Sequence, residues 1–461
     1  MRKNKNYTRL TNHMKKVEIG LLFIVIISTS ILSFNLFNPA DLWWDSAVYV
    51  GIGKHIFSLG ESGLWEASRP LVWPAILGFY WKLGLDPIFF GRLTNILFNL
   101  GCIVLTYLIA IKLFNEKIAL ISAIFLTFSP TFFRFTTILY TGIAALFFIL
   151  LSLFFLLKKR YALSGLFLGI AVMTRFFFGF AAVAVFIFLL VKIMKKEKYW
   201  NNLVTMVIFF LIPVVPFFIL NYILYSNIFY PFLVQAYMTQ SSNWYWYQPF
   251  YFYFIGLLKE NIFILFSILG IFYLILKKSQ KQLILFILIF AFIPFNFAPH
   301  KEMRFMLLSL PFIYMLASYG LLKITTNKKI IFLILLIWAL FTIPALSFND
   351  YDDKLDPFYD YTETIDTQDR IYISNPAFIL NTNHKGNLMY YPIFSNELIN
   401  KLNNKISSAD HILVNTCDII CLSRELDCEQ NRAELIQKLK NTFNEVSYEK
   451  EGQCEFHIFQ K

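Results

Sequence analysis

Charge is scarce in this sequence. Only 15% of its 461 residues are charged, against roughly a quarter in an ordinary soluble domain. With 57% hydrophobic and 19% aromatic residues, this excludes a soluble globular chain and marks an integral membrane protein. Carboxylates are the scarcest charges. Residues 1–349 hold 10 Asp and Glu against 30 Lys and Arg, whereas residues 350–461 hold 19 against 11. The net charge of +12 is therefore no nucleic-acid signal: the basic residues sit in short loops between apolar runs, where they set membrane orientation. A cleavable leader is not expected either, and the first apolar run is expected to stay as a transmembrane helix. The basic opening MRKNKNYTRLTNHMKK precedes an apolar run too long for a signal peptide and without a small-residue cleavage site. No internal repeat and no midplane charges are present, which argues against a transporter.

What is present is a series of apolar runs with basic ends. About eleven helices of roughly 15–25 residues are expected, a length range that spans a bilayer. The expected layout is a cytoplasmic basic N-terminus over residues 1–17, then a transmembrane domain over 18–348 with an exterior loop at 38–90. Every strongly basic run then falls on the cytoplasmic side of a plasma membrane. Residues 349–461, of soluble composition, become a small exterior α/β domain. Strands are expected at Arg370–Ile373, His411–Val414 and Cys454–Phe459, and a helix at Asn431–Asn441. Four of the five cysteines, Cys417, Cys421, Cys428 and Cys454, lie in that segment. One or two disulfides fit an exterior location, and zinc is the rival reading, although the Cys417–Cys421 spacing departs from paired CxxC patterns.

Two clusters stand out against the shortage of charge. The first is ADLWWDSAVYVGIGKH, residues 40–55, the first polar stretch after a hydrophobic span. It carries Asp41 and Asp45, and Asp45 is flanked by Trp and Tyr at an expected membrane surface. A charge in that setting is a functional-site candidate, while Asp45 as an N-cap is the plain alternative. The second is His300-Lys301-Glu302-Met303-Arg304, which breaks the positive-inside pattern. Lys offers a point charge and Arg a fork, and both suit a phosphate. A snorkelling interfacial anchor is the alternative. His55, Arg69, Arg92 and Arg175 are expected on the same side. The loop 226–253 is rich in Tyr, Trp and amides, which serves equally for sugar contact or for an aromatic belt.

These features together resemble the GT-C superfamily of polytopic glycosyltransferases. The acidic motif Asp45-Ser46-Ala47-Val48-Tyr49 follows the first helix. Arg69-Pro70-Leu71-Val72-Trp73-Pro74 is similar to a segment of protein mannosyltransferases and of the lipid A aminoarabinose transferase. The stretch from Arg92 to Pro130, with its arginine, its Lys112-Leu113-Phe114 turn and its Ser129-Pro130 ending, comes next. His300-Lys301-Glu302-Met303-Arg304-Phe305 is similar to the HKExRF motif of dolichyl-phosphate-mannose α-mannosyltransferases. The resemblance covers about residues 18–325. It implies an inverting transfer of a sugar, with mannose the first candidate, from a polyprenyl or dolichyl phosphate to a hydroxyl of a glycan, lipid or protein. Asp45 would be the general base, and His300, Lys301 and Arg304 would bind the donor phosphate. Asp41, His55, Arg69, Arg92, Arg175 and Glu302 are additional candidates. No metal or other cofactor and no nucleic acid is expected; the partners are donor, acceptor and membrane lipid. One departure is plain: many relatives carry an acid where this chain reads Thr141-Gly142. A lipid-linked glycan transporter and a non-catalytic membrane subunit are the competing functions.

Overall fold

The computed structural model describes residues 20–33, 36, 44–195, 200–242, 247–276, 281–346, 356–366, 369–380, 382–388, 406–419 and 426–461. Asp41 and Cys421 lie outside these residues, as does the side chain of Cys428. In chain order the helices are α1 (Gly20–Ser33), α2 (Trp44–Phe57), α3 (Val72–Lys82), α4 (Pro87–Leu113), α5 (Glu116–Thr127), α6 (Pro130–Thr137), α7 (Thr141–Leu157), α8 (Tyr161–Thr174), α9 (Gly179–Lys195) and α10 (Trp200–Tyr225). They continue as α11 (Tyr230–Ser242), α12 (Phe252–Glu260), α13 (Phe266–Ile275), α14 (Gln282–Phe297), α15 (Leu310–Ile324), α16 (Lys328–Thr342), α17 (Asp356–Thr362) and α18 (Leu426–Thr442). Among the described residues, four helices are long and apolar enough to cross a membrane, or five if α5 and α6 form one span bent by 59°. Six further apolar helices are shorter. The bend between α5 and α6 has a local cause. Ser129 caps α6 by accepting the Phe132 amide, and Pro130 at its first position has no amide to continue α5.

Two compact units divide the chain. One comprises residues 1–39, 92–220 and 248–349, and the other 40–91, 221–247 and 350–461. The first is all helical, with α7 against α8, α9 against α14, and α15 against both α5 and α13. The α13–α15 crossing is close because two glycines face each other's backbone. A Cβ on Gly320 would lie 2.0 Å from the Phe266 carbonyl oxygen, and one on Gly270 would lie 2.1 Å from that of Leu316. Small residues permit such close approach where lipid supplies little drive for association.

In the second unit α2 packs on α3, again through paired glycines: a Cβ on Gly53 would meet the Pro74 carbonyl and one on Gly78 the Gly53 carbonyl. The same unit contains a five-stranded sheet, β1 (Ile371–Ile373), β2 (Gly386–Leu388), β3 (His411–Asn415), β4 (Asn444–Glu451) and β5 (Cys454–Gln460), in the order β2-β1-β3-β5-β4. β1 pairs in parallel with β2 and β3, and β5 pairs antiparallel with β3 and β4. β1 and β3 are buried throughout, as strands covered on both faces are. Leu435, Leu439 and Phe443, on or just after α18, close one face against Ile412, Val414 and Phe459. β4 is mostly exposed and carries a bulge between Glu445 and Ser447. β1, β3, β5 and α18 fall on the segments where sequence patterning put them, whereas β2 and β4 lie outside the expected segments. Cys417 and Cys454 form a disulfide with an S–S distance of 2.01 Å, tying the end of β3 to the start of β5.

Candidate active site

The acidic cluster is built by α2 and the turn that precedes α3. Asp45 sits in the first turn of α2, where the helix dipole favours an anion, and it is 8% exposed. Its Oδ1 pairs with an Arg69 terminal nitrogen at 2.8 Å. Arg69 Nε donates to Glu66 Oε1, also at 2.8 Å, and Ser68 Oγ donates to the same oxygen at 2.6 Å. The guanidinium also lies 5.5 Å from the centre of the Tyr49 ring, one helical turn beyond Asp45. Glu66 is fully buried. One arginine is thus held between two carboxylates. A fork shared by two acids fixes the orientation of both. His55 is not part of it: ten residues further along α2 is roughly 15 Å. Its ring instead packs against Trp65, whose indole donates to the Tyr225 hydroxyl.

The basic cluster is built by the other unit. Glu302 has extended backbone, with φ −141° and ψ 144°. Alternation along this extended stretch separates Lys301 from His300 and Glu302, and Arg304 reaches Glu302 from the 3-10 helix Met303–Leu308 that follows. Glu302 Oε1 receives both His300 Nε2 and an Arg304 terminal nitrogen. Burial works to raise the Glu302 carboxyl, but Arg304 and His300 outweigh it and leave it below its ordinary value. The Arg304 guanidinium lies 5.1 Å from the centre of the Tyr140 ring, and the Arg175 guanidinium lies 4.4 Å from the same ring. Both also approach the Phe305 ring, at 5.6 and 5.8 Å. Arg175 donates to the Thr141 hydroxyl at 3.1 Å. Thr141 opens α7 without a side-chain cap, so the helix directs unbonded amides there.

The position where relatives have an acid therefore holds a neutral hydroxyl that orients Arg175 without neutralising it. Arg304 and His300 meet the Glu302 carboxylate while Arg175 holds the Thr141 hydroxyl, and forked donors of this kind suit a phosphate.

Lys301 departs from its expected place. Its ammonium donates to the carbonyls of Gln248, at 2.8 Å, and Ala298, at 2.5 Å, and only 4% of the residue is exposed. Burial lowers its pKa. Arg92 is buried near the start of α4.

Three groups escaped the sequence reading. Glu66 was one acid among several, and its i,i+3 spacing to Arg69 was the available signal. Tyr140 gave no signal, because its partners come from distant segments. Glu260, at the end of α12, accepts the hydroxyls of Ser129, Thr131 and Tyr314, and only folding brings these together. Among the described residues no cluster of three His, Cys, Asp or Glu could hold a metal ion.

Three comparisons bear on this geometry. Residues 21–375 match the model of a family described as Alg9-like mannosyltransferases. No curated protein sequence matches. Among solved structures, ArnT from Cupriavidus metallidurans bound to undecaprenyl phosphate is similar with a TM-score of 0.63 and 13% identity, over 95% of this chain and 97% of that one. The Archaeoglobus fulgidus oligosaccharyltransferase, tethered to an acceptor peptide, aligns with a TM-score of 0.59 and 10% identity over 95% and 74%. The arabinofuranosyltransferase AftD from Mycobacteria aligns with a TM-score of 0.51 and 12% identity over 95% and 41%. At these identities the likeness is one of fold.

Proposed function

The chain belongs to the Alg9-like mannosyltransferase family, within the GT-C superfamily of membrane glycosyltransferases, and on that premise we propose that it moves a sugar from a polyprenyl-phosphate carrier to an acceptor hydroxyl with inversion. Mannose is the first candidate sugar, and a glycan, lipid or protein hydroxyl the acceptor. Asp45 takes the proton of that hydroxyl. The freed oxygen attacks the anomeric carbon on the face opposite the phosphate. The carbon–oxygen bond to the lipid phosphate breaks, and its electron pair stays with the phosphate. Arg175, Arg304 and His300 stabilise the charge that gathers there. Lys301 supports their loop through backbone carbonyls rather than meeting the donor. The N-terminus lies in the cytoplasm, and the reaction takes place on the outer face of the plasma membrane.

The observation that carries this reading is the convergence of Arg175 and Arg304 on the Tyr140 ring, with Thr141 bound to Arg175 and Glu302 bound to Arg304. Neighbouring folds support it, since one was solved with undecaprenyl phosphate bound. The test is transfer from radiolabelled polyprenyl-phosphate-mannose in membranes containing the wild type, Asp45→Asn or Arg304→Met. Asp45→Asn loses transfer by about 10²–10⁴-fold, as removal of a general base does. Arg304→Met raises the donor concentration required. Full transfer by Asp45→Asn would remove that residue from its role. Donor binding without turnover in the wild type would return the transporter reading.

A further inference from the structure

Among the described residues of the second unit Lys54 is the most deeply buried lysine or arginine, and the reaction above gives it no task. It lies on α2, nine residues after Asp45, and is 2% exposed. Its ammonium donates to the carbonyls of Ile379, at 2.7 Å, Thr382, at 2.7 Å, and Leu380, at 3.3 Å. Two of these acceptors end the 3-10 helix Pro376–Leu380, where carbonyls lack partners within the helix.

That short helix is itself anchored. Asn375 accepts the Ala377 amide and donates to Asp418 Oδ1, while Ser374 donates to Asp418 Oδ2 and accepts the Asn415 amide from the end of β3. A continuous path of hydrogen bonds and chain therefore runs from the sheet through Asp418 and the 3-10 helix to Lys54, and along α2 to Asp45. A second tie lies beside it: Gly63 donates its amide to the His384 carbonyl and accepts that of Gly386.

An apolar side chain would avoid desolvating a charge but would leave these carbonyls without a donor. Burial pushes the Lys54 pKa down to about 8, with Asp86 acting in the opposite direction, so the ammonium is kept charged at neutral pH against a desolvation penalty. What the charge adds over an apolar filler is a fixed position: three convergent acceptors define one place for the ammonium.

We propose that Lys54 is a positioning residue for the reaction, a clamp through which the C-terminal α/β segment sets the place of the Asp45 carboxylate. This rests on the assignment of Asp45 as general base. It gives the sheet segment a catalytic duty that needs no contact with substrate.

The test uses the full-length protein in lipid nanodiscs with polyprenyl-phosphate-mannose as donor. Lys54→Met keeps the length of the aliphatic stem and removes the ammonium. Misplacing a catalytic group by about 1 Å can cost about 10²-fold, so kcat should fall by one to two orders of magnitude with the donor KM unchanged. Hydrogen exchange should quicken over residues 44–57 and 376–382 and stay constant in α7 and α15. Asp418→Ala, which loosens the same anchor from its far end, should produce the same pattern to a smaller degree and serves if Lys54→Met does not fold. Faster exchange with wild-type kcat would overturn the proposal, because Lys54 would then be structural only. Unchanged exchange over 44–57 would also overturn it. Asp45→Asn run in parallel separates the two claims: if it keeps wild-type turnover, the base assignment fails, whatever exchange shows about the clamp.

Discussion

Replacing Glu66 by Gln tests whether the buried acid acts through Arg69 on Asp45. The substitution keeps the shape and the oxygen that accepts Arg69 Nε and Ser68 Oγ. It removes one negative charge. Two 2.8 Å contacts and the width of a guanidinium separate the two carboxylates by about 7 Å, where a unit charge is worth about 2 kcal/mol at an effective dielectric of 20. In the wild type that repulsion favours protonation of Asp45. In Glu66→Gln that repulsion is gone, and Asp45 becomes the weaker base. At about 1.4 kcal/mol per pH unit, the acid limb of kcat/KM moves down by between one and two pH units. A weaker base also slows proton removal, so the plateau falls by up to about tenfold. Glu66 Oε2 has no partner, so the amide that replaces it is a buried donor without an acceptor and costs about 1–3 kcal/mol of stability. The assay is the pH profile of sugar transfer in nanodiscs, with thermal unfolding measured alongside. An acid limb that stays in place, or moves up, would refute the coupling. A loss of stability with an unchanged limb would make Glu66 a packing residue.

Three further outcomes are expected. Gly320→Ala places a methyl group against the Phe266 carbonyl, so α13 and α15 must separate; overpacking of this kind costs about 1–3 kcal/mol, read as a lower Tm in detergent. The Cys417–Cys454 disulfide, with a sequence separation of 37, contributes about 4 kcal/mol in the chain-entropy description, so Cys417→Ser together with Cys454→Ser should expose the sheet to limited proteolysis while α7 and α8 stay protected. The Glu302 carboxyl is held below its ordinary 4.5, so it adds stability above about pH 4.5 that is lost as pH falls through the lower folded value; Glu302→Gln should flatten the unfolding temperature across that window.

What the sequence made legible was whatever is contiguous. Apolar runs with basic ends, the Asp45 stretch and the motif from His300 to Phe305 could all be read directly. Patterning also located β1, β3, β5 and α18, because their apolar positions follow the period of strand or helix. The remainder depended on distance and direction. Tyr140, Arg175 and Arg304 meet only through packing of α7, the segment after α8 and the loop before α15. Lys301 looked equivalent to its neighbours until the extended backbone turned it away from them. Lys54 carries no local signal in the sequence, because its acceptors lie more than 300 residues further along the chain.

The outer strand β4 has a bearing on how copies of this protein behave side by side. An unpaired sheet edge offers a row of amides and carbonyls to any strand that comes alongside. Here the edge carries Glu445, Glu449, Lys450 and Glu451 within eight residues, and its bulge interrupts the regular spacing. A second copy approaching edge-on would meet a charged, mostly acidic row and a kinked ladder. Charge and a bulge at a sheet edge disfavour strand addition, so such an edge works against neighbouring copies joining their α/β segments into a continuous ribbon.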